Sequence, residues 1–300
     1  MNGRLTYIYG AAAHAWQANE SALDLKPQLQ AAWGKRFRRI NHFIELTLIG
    51  AKSCLDQSQL EIEADCDLYL ATEQGNVAGV ADITRLLLKE QEAPMPLAFL
   101  NISNNMAGFY LAQSLKLHSS NLTIAHHSFP FETALDLAMF NIANSYRATP
   151  SALVGGVEEC AYPLSQHRQR MNLATDTPLA EGSSWLHIGA GYPQHALACC
   201  EWVKFFADEM ELLSFLKQAA LPPLTYLAGG DNMSDEAAVN FAADLNICGI
   251  YKCANRVPFH TTHCAYTVAS FISEKRGHSL IHINRDKRGH RYAALSLSVI

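Results

Sequence analysis

The chain has 300 residues, 49% of them hydrophobic and 17% charged, a balance that excludes disorder and supplies a large core. A formal net charge of −5 offers no electrostatic handle for nucleic acid or for an anionic membrane. The start lacks a signal-peptide pattern, and no apolar run reaches about 18 residues, so no membrane span is expected.

Taken in order, "LTYIYGAAAHA" predicts a short strand ending near Gly10. "RRINHFIELTLIGAKSCLDQ" places Ile40, Phe43, Ile44, Leu46, Leu48 and Ile49 close to helical spacing. "DCDLYLAT" reads as a strand, while "DITRLLLKE" and "NMAGFYLAQSLKL" read as helices, the second rich in small residues and therefore closely packed. "NLTIAHHSFPFETALDLAMFNIA", Asn121 to Ala143, runs an apolar strand straight into a helix, with His126, His127 and Ser128 at the junction. "SALVGGVEEC" predicts a buried strand turning at Gly155-Gly156. "ADEMELLSFLKQA" is a helix stopped by Pro222-Pro223, "LTYLAGG" a strand, and "SDEAAVNFAADL" a helix capped by Ser234. "PFHTTHCAYTVASFISEKRG" turns from loop into helix, and "RYAALSLSVI" closes as a strand.

Alternation of strands and helices predicts an α/β class. A weak internal repeat accompanies it: each half runs an apolar segment into a tight junction and then a small-residue helix, with Ser128 at the first junction and His263 at the second. The eight cysteines, at 54, 66, 160, 199, 200, 248, 253 and 264, lack any CxxC spacing. Free, buried thiols in a cytoplasmic protein are the expectation.

Five segments resemble the β-ketoacyl synthases, the condensing enzymes of the thiolase fold, in the right order and over nearly the whole chain. They are "RRINHFIELTLIGAKSCLDQSQL", "NNMAGFYLAQSLKLHSSNLTIAHHS", "SALVGGVEE", "PLAEGSSWLHI" and "FHTTHCAYTVASF". The resemblance implies a single thiolase-like domain over 1-300, layered αβαβα, with pseudo-repeated halves of about 1-150 and 151-300 and a shortened second half. It also implies dimerisation through the strand that leads to the nucleophile, with Asn104 to Phe131 carrying the contact. Departures from the family pattern fall on its chemistry. The family's nucleophilic cysteine aligns with Ser128, and its first catalytic histidine with Gly230 or a neighbour. Its second histidine is retained as His263, its lysine is replaced by Pro258, and the gating phenylalanine of its last loop is replaced near Lys287.

Condensation needs a thiolate to accept the acyl group, two imidazoles to polarise the thioester, and amides to hold an oxyanion. A serine hydroxyl in place of the thiol needs a dedicated base, and Gly230 offers no imidazole. These residues therefore point to a catalytically degenerate subunit similar to a chain-length factor. Such a subunit pairs with an active ketosynthase in aryl-polyene, type II polyketide or fatty-acid-like synthesis, with acyl carrier protein as a further partner. Phe129 and Phe131 are expected to plug the vacated pocket.

The alternative is a Ser128-dependent acyltransferase or thioesterase with His263, His126 or His127 as base. Against it, the glycines of a nucleophile elbow are absent, and Ser128 ahead of Phe-Pro and Glu132 reads as a helix cap. His260, His263, His278 and His282 have spacings that suit a metal, but thirteen histidines generate such spacings freely, and no HExxH or cysteine pair accompanies them. No metal or cofactor is expected. The run "GKRFRR" groups Lys35, Arg36, Arg38 and Arg39 as a solvated helix start or as a dock for an acidic acyl carrier protein or for the partner subunit, the structural role being favoured for Arg38 and Arg39.

Overall fold

A computed structural model describes residues 4–19, 21–230, 232–245, 247–253 and 258–300. The chain begins with β1 (Thr6–Ala12) and β2 (Ala15–Gln17), then α1 (Lys26–Trp33), α2 (His42–Asp56) and β3 (Asp67–Thr72). Next come α3 (Val77–Arg85), which continues as a π-helical turn over Leu86–Glu90, then α4 (Pro96–Asn101), α5 (Asn105–Leu115), β4 (Asn121–Ala125) and α6 (Pro130–Ala143). β5 (Ser151–Glu158), α7 (Leu164–Arg170), β6 (Ala180–Gly189) and β7 (Ala198–Phe206) follow. The last part holds α8 (Glu209–Gln218), β8 (Thr225–Gly229), α9 (Asp235–Asp244), β9 (Gly249–Ile250), α10 (His263–Glu274), β10 (Ser279–Arg285) and β11 (Tyr292–Val299).

Ten of the strands form one path, β4-β3-β5-β6-β1-β7-β11-β10-β8-β9, with β2 added beside β6. The pairing is symmetric about its centre. On one side β4, β3 and β5 are parallel and β6 and β1 antiparallel; on the other, β9, β8 and β10 are parallel and β11 and β7 antiparallel. The antiparallel β1–β7 pair joins the two. The repeat thus divides between Gly189 and Ala198, later than the expected midpoint near residue 150, because β5 and β6 complete the first half-sheet. The second unit is the shorter of the two.

Three apolar clusters show the layering. α6 and α10, equivalent in the repeat, lie in the middle, where Phe131, Leu135, Val268 and Phe271 pack with inward residues of both half-sheets, such as Tyr69, Val154 and Leu295. α1, α2 and α5 cover the outer face of the first half-sheet through Leu29, Phe43, Leu46 and Leu111, around Trp185. α8 and α9 cover the second through Leu212, Leu216 and Phe241. Helix on sheet, repeated on both faces of two half-sheets, is the αβαβα arrangement.

Several local expectations are corrected by packing. β1 does not end at Gly10 but runs through it with a register shift, since a Cβ there would lie 2.8 Å from the Cys54 carbonyl on α2. β5 does not turn at Gly155-Gly156: a Cβ at Gly155 would lie 2.2 Å from the Trp185 ring, and one at Gly156 2.8 Å from Ala265. These glycines let β5 pass between two layers rather than bend. α2 starts only after Asn41, whose side chain accepts from Ile44 N. Arg38 and Arg39 therefore precede the helix, with Arg39 in a left-handed conformation at φ 59°. The cysteines are free, but Cys248 is exposed rather than buried, and Cys199 and Cys253 are half-buried. Among the described residues no helix is long and apolar enough to cross a membrane.

Candidate functional site

The junction between β4 and α6 is a sharp elbow. Phe129, not Ser128, occupies the N-cap of α6, in the left-handed region at φ 57°, ψ 42°, and no side chain caps the helix. The expected Ser128 cap is therefore incorrect. Pro130 at the first helical position brings a fixed φ and no N–H to satisfy, so the helix starts without a cap. Ser128 instead belongs to the loop: its N–H lies 3.2 Å from His126 Nδ1 and its carbonyl 2.7 Å from the same nitrogen. A bulky non-glycine residue at positive φ is strained and persists only where its surroundings hold it. Here the ring of Phe129 is buried, 6.3 Å from that of Phe205 on β7.

The elbow has the strand-to-helix outline of a nucleophile turn, with a phenylalanine at its corner. The cavity beneath measures about 30 Å³ and is lined by Glu73, His127, Ser128, Phe129, Asn284 and Lys287, among others. That is room for a water molecule, not for an acyl chain.

Charged side chains line it. Lys287, in the β10–β11 loop, forms an ion pair with Glu73 just after β3, tying the two repeats together, while His127 Nδ1 lies 3.8 Å from the same carboxylate. Glu73 is held in place by Glu158 at the end of β5, which accepts from Glu73 N and from Thr72 Oγ1 at 2.8 Å. Burial pushes the Glu158 carboxyl up to about 7, against the hydrogen bonds it accepts. The β10–β11 loop places Lys287 on the pocket wall.

The other expected positions do not converge on Ser128. Gly230 donates its N–H to the Ile283 carbonyl, and a Cβ on it would lie 2.3 Å from Asn284 Oδ1. The Asn284 carboxamide occupies the space beside Gly230, and its Nδ2 donates to Glu132 Oε1 at 2.9 Å. His263 opens α10 with Nδ1 3.2 Å from Thr267 Oγ1 and its ring 5.6 Å from that of His260. It does not line the cavity, whose wall on that side is Phe259 and Thr261. Pro258 carries no cation. His278 Nδ1 lies 2.7 Å from the Arg276 carbonyl and its ring 5.5 Å from that of Tyr226.

Sequence reasoning missed one grouping entirely: Glu132 on α6, Cys264 on α10 and His282 on β10 come together in the buried middle layer. A second missed network lies behind β5 and β6, where His42 contacts Glu181 at 2.7 Å and Glu159 accepts from Ala78 N at 2.8 Å. Burial acts to lower the His42 pKa, but the Glu181 and Glu45 carboxylates outweigh it and raise it to about 10. Neither grouping has a signal in spacing, because its members come from distant elements.

No family model matches the chain, and no curated protein matches it. Solved structures do. The ishigamide ketosynthase/chain length factor superposes with a TM-score of 0.75 at 15% identity, covering 99% of each chain. The fold is the thiolase fold of the ketosynthases. A type II polyketide synthase acyl-carrier protein in complex with its ketosynthase bound to the hexaketide gives 0.69 at 13% identity, over 99% of this chain and 100% of that one. A β-ketoacyl synthase from Burkholderia phymatum STM815 gives 0.69 at 11% identity with the same coverage. At these identities the likeness is one of ketosynthase architecture, so the chemistry has to be argued from the residues above.

Proposed function

We propose that the chain is a catalytically degenerate, chain-length-factor-like subunit that pairs with an active ketosynthase and walls off its acyl tunnel. The observation that carries this reading is the elbow: its strained backbone is kept, its corner is a phenyl ring, and its cavity has no room for an acyl chain. A ketosynthase that turns over needs that space; a subunit that only completes a dimer does not.

The partner's docking face is the β4 edge. β4 ends the sheet path, and beside it stand exposed apolar side chains on the elements that flank it: Phe109 on α5, Leu122 on β4 itself and Phe140 on α6. An open strand edge with apolar flanks is a template for pairing with another chain. Phe109 and Leu122 belong to the segment the resemblance assigns to dimerisation, and Phe140 lies nine residues beyond its end. The pathway class that fits is aryl-polyene, type II polyketide or fatty-acid-like synthesis, with acyl carrier protein visiting the complex.

Coexpression with a panel of ketosynthases and affinity capture through a tag on this chain tests the proposal. A stoichiometric complex with unchanged condensing activity after Ser128→Ala is the expected outcome. A stable monomer that ignores every coexpressed ketosynthase overturns it. Acyl transfer from carrier protein that disappears in Ser128→Ala would instead establish the serine acyltransferase.

A further inference from the structure

We propose that the middle layer holds a zinc-type metal site made by Glu132, Cys264 and His282. One donor atom from each lies within 4.8 Å of the others, and all three residues are buried. Cys264 Sγ and His282 Nδ1 are already 3.4 Å apart, close to the separation of two ligands on one tetrahedral ion with ~2.3 Å sulfur and ~2.0 Å nitrogen bonds. A thiolate, an imidazole and a carboxylate form a mixed donor set that favours zinc over magnesium or calcium.

Cys264 stands in the first turn of α10 and His282 on β10, so two regular elements set the separation of their donor atoms. Asn284 Nδ2 donates to Glu132 Oε1 and fixes the carboxylate plane, the role of an outer-shell partner. On binding, the Cys264 proton leaves to solvent, and thiolate plus carboxylate balance the charge of a divalent ion, so the loaded site is neutral in a dry interior.

The consequence is architectural. Glu132 lies on the central helix of the first repeat, and Cys264 and His282 on α10 and β10 of the second. A shared ion would pin the two repeats together at the level where the ketosynthase chemistry has been lost. Because the site is enclosed, the metal enters as the chain folds.

The test is expression in cobalt-supplemented medium, in a Cys199→Ser, Cys248→Ser, Cys253→Ser background that removes the thiols not fully buried, with metal content by elemental analysis. The expected result is near-stoichiometric cobalt with a thiolate-to-cobalt charge-transfer band in the near ultraviolet. Cys264→Ala should abolish that band, and Asn284→Ala should weaken retention against a chelator by about 10- to 100-fold. A folded background protein with no bound cobalt and no band overturns the proposal and leaves a plain thiol–imidazole hydrogen bond. Persistence of the band in Cys264→Ala overturns it equally. Should Cys264→Ala fail to fold, the background protein and Asn284→Ala still decide, since a band insensitive to Asn284→Ala also counts against this site. The complex with ketosynthase is not required, so failure here leaves the subunit proposal standing.

Discussion

The two ends of the sheet differ in a way the internal repeat does not require. One ends in β4, five residues long with an exposed Leu122; the other ends in β9, which is only Gly249–Ile250. β9 is blunted, since a two-residue strand offers little backbone to a neighbour, whereas β4 is left long and flanked by apolar side chains. The helices that follow diverge as well. α6 leaves its edge through a left-handed Phe129, and α10 leaves its own through Thr262 at φ −102°. Symmetric topology with asymmetric edges is what a subunit needs if it is to be covered at one end only.

The largest expected effect addresses what the two units share. Phe131 on α6 and Phe271 on α10 are both essentially inaccessible in the central cluster. Phe131→Ala or Phe271→Ala should each cost about 3–5 kcal/mol in chemical denaturation. A much smaller loss at one of them would show that the middle layer is not packed alike from both repeats.

The edges should then separate. Leu122→Lys with Phe140→Glu is expected to weaken capture of the partner ketosynthase by roughly 100-fold, by disrupting an anchor of the docking face. Val239→Lys on α9, exposed near the β9 end, should leave capture unchanged. Binding that is insensitive to the β4 pair and sensitive to Val239→Lys would reverse the comparison.

The pH dependence of stability should also divide by region. Near the second junction, burial lowers the His260 and His282 pKa values from 6.5 to about 3. As the pH falls below 6.5 the unfolded chain gains protons that the folded chain refuses, so their contribution is present above that pH and drains away in acid. At the end of β5 in the first repeat the sign is opposite. Burial raises Glu158 and Glu159 from 4.5 to about 7 and about 8, so their contribution is present below pH 4.5 and drains away as the pH rises from there to those values. Thermal melts across pH should show His260→Gln removing part of the rise in stability between about pH 3 and 6.5, and Glu158→Gln removing part of the fall between pH 4.5 and about 7.

The smallest effect concerns the link between repeats. Lys287→Met removes a half-exposed partner from the buried Glu73 carboxylate and should cost on the order of 1 kcal/mol. A double-mutant cycle with Glu73→Gln measures the coupling. A coupling near zero would mean that the charge pair only decorates the cavity mouth.

Much of this architecture is legible in the residues. β3, α5, α8, α9 and β11 fall where their periodicity places them, and Ser234 caps α9 through Ala237 N as its residue type suggests. β7, with "ACCEWVKFF", and β10, with "SLIHINR", were not anticipated; β10 is a buried interior strand that does not alternate cleanly. The glycines of β1 and β5 misled because a glycine that admits a neighbouring layer looks the same in sequence as one that turns. At the site, the sequence points to the β4–α6 junction, where the structure does bend sharply. It places the wrong residue at the bend, since Ser-Phe-Pro suits a capped helix and a left-handed phenylalanine is disfavoured locally.

The sequence by itself determined the α/β class and the order of most elements, because these depend on local pattern and residue identity. Only the tertiary structure decided that Phe129 forms the elbow, that Asn284 fills the space beside Gly230, that Lys287 reaches Glu73, and that Glu132, Cys264 and His282 meet. Each of those joins residues far apart in the chain. Their energies come from packing across layers, where contacts between α6, α10 and the half-sheets override what any short segment prefers alone.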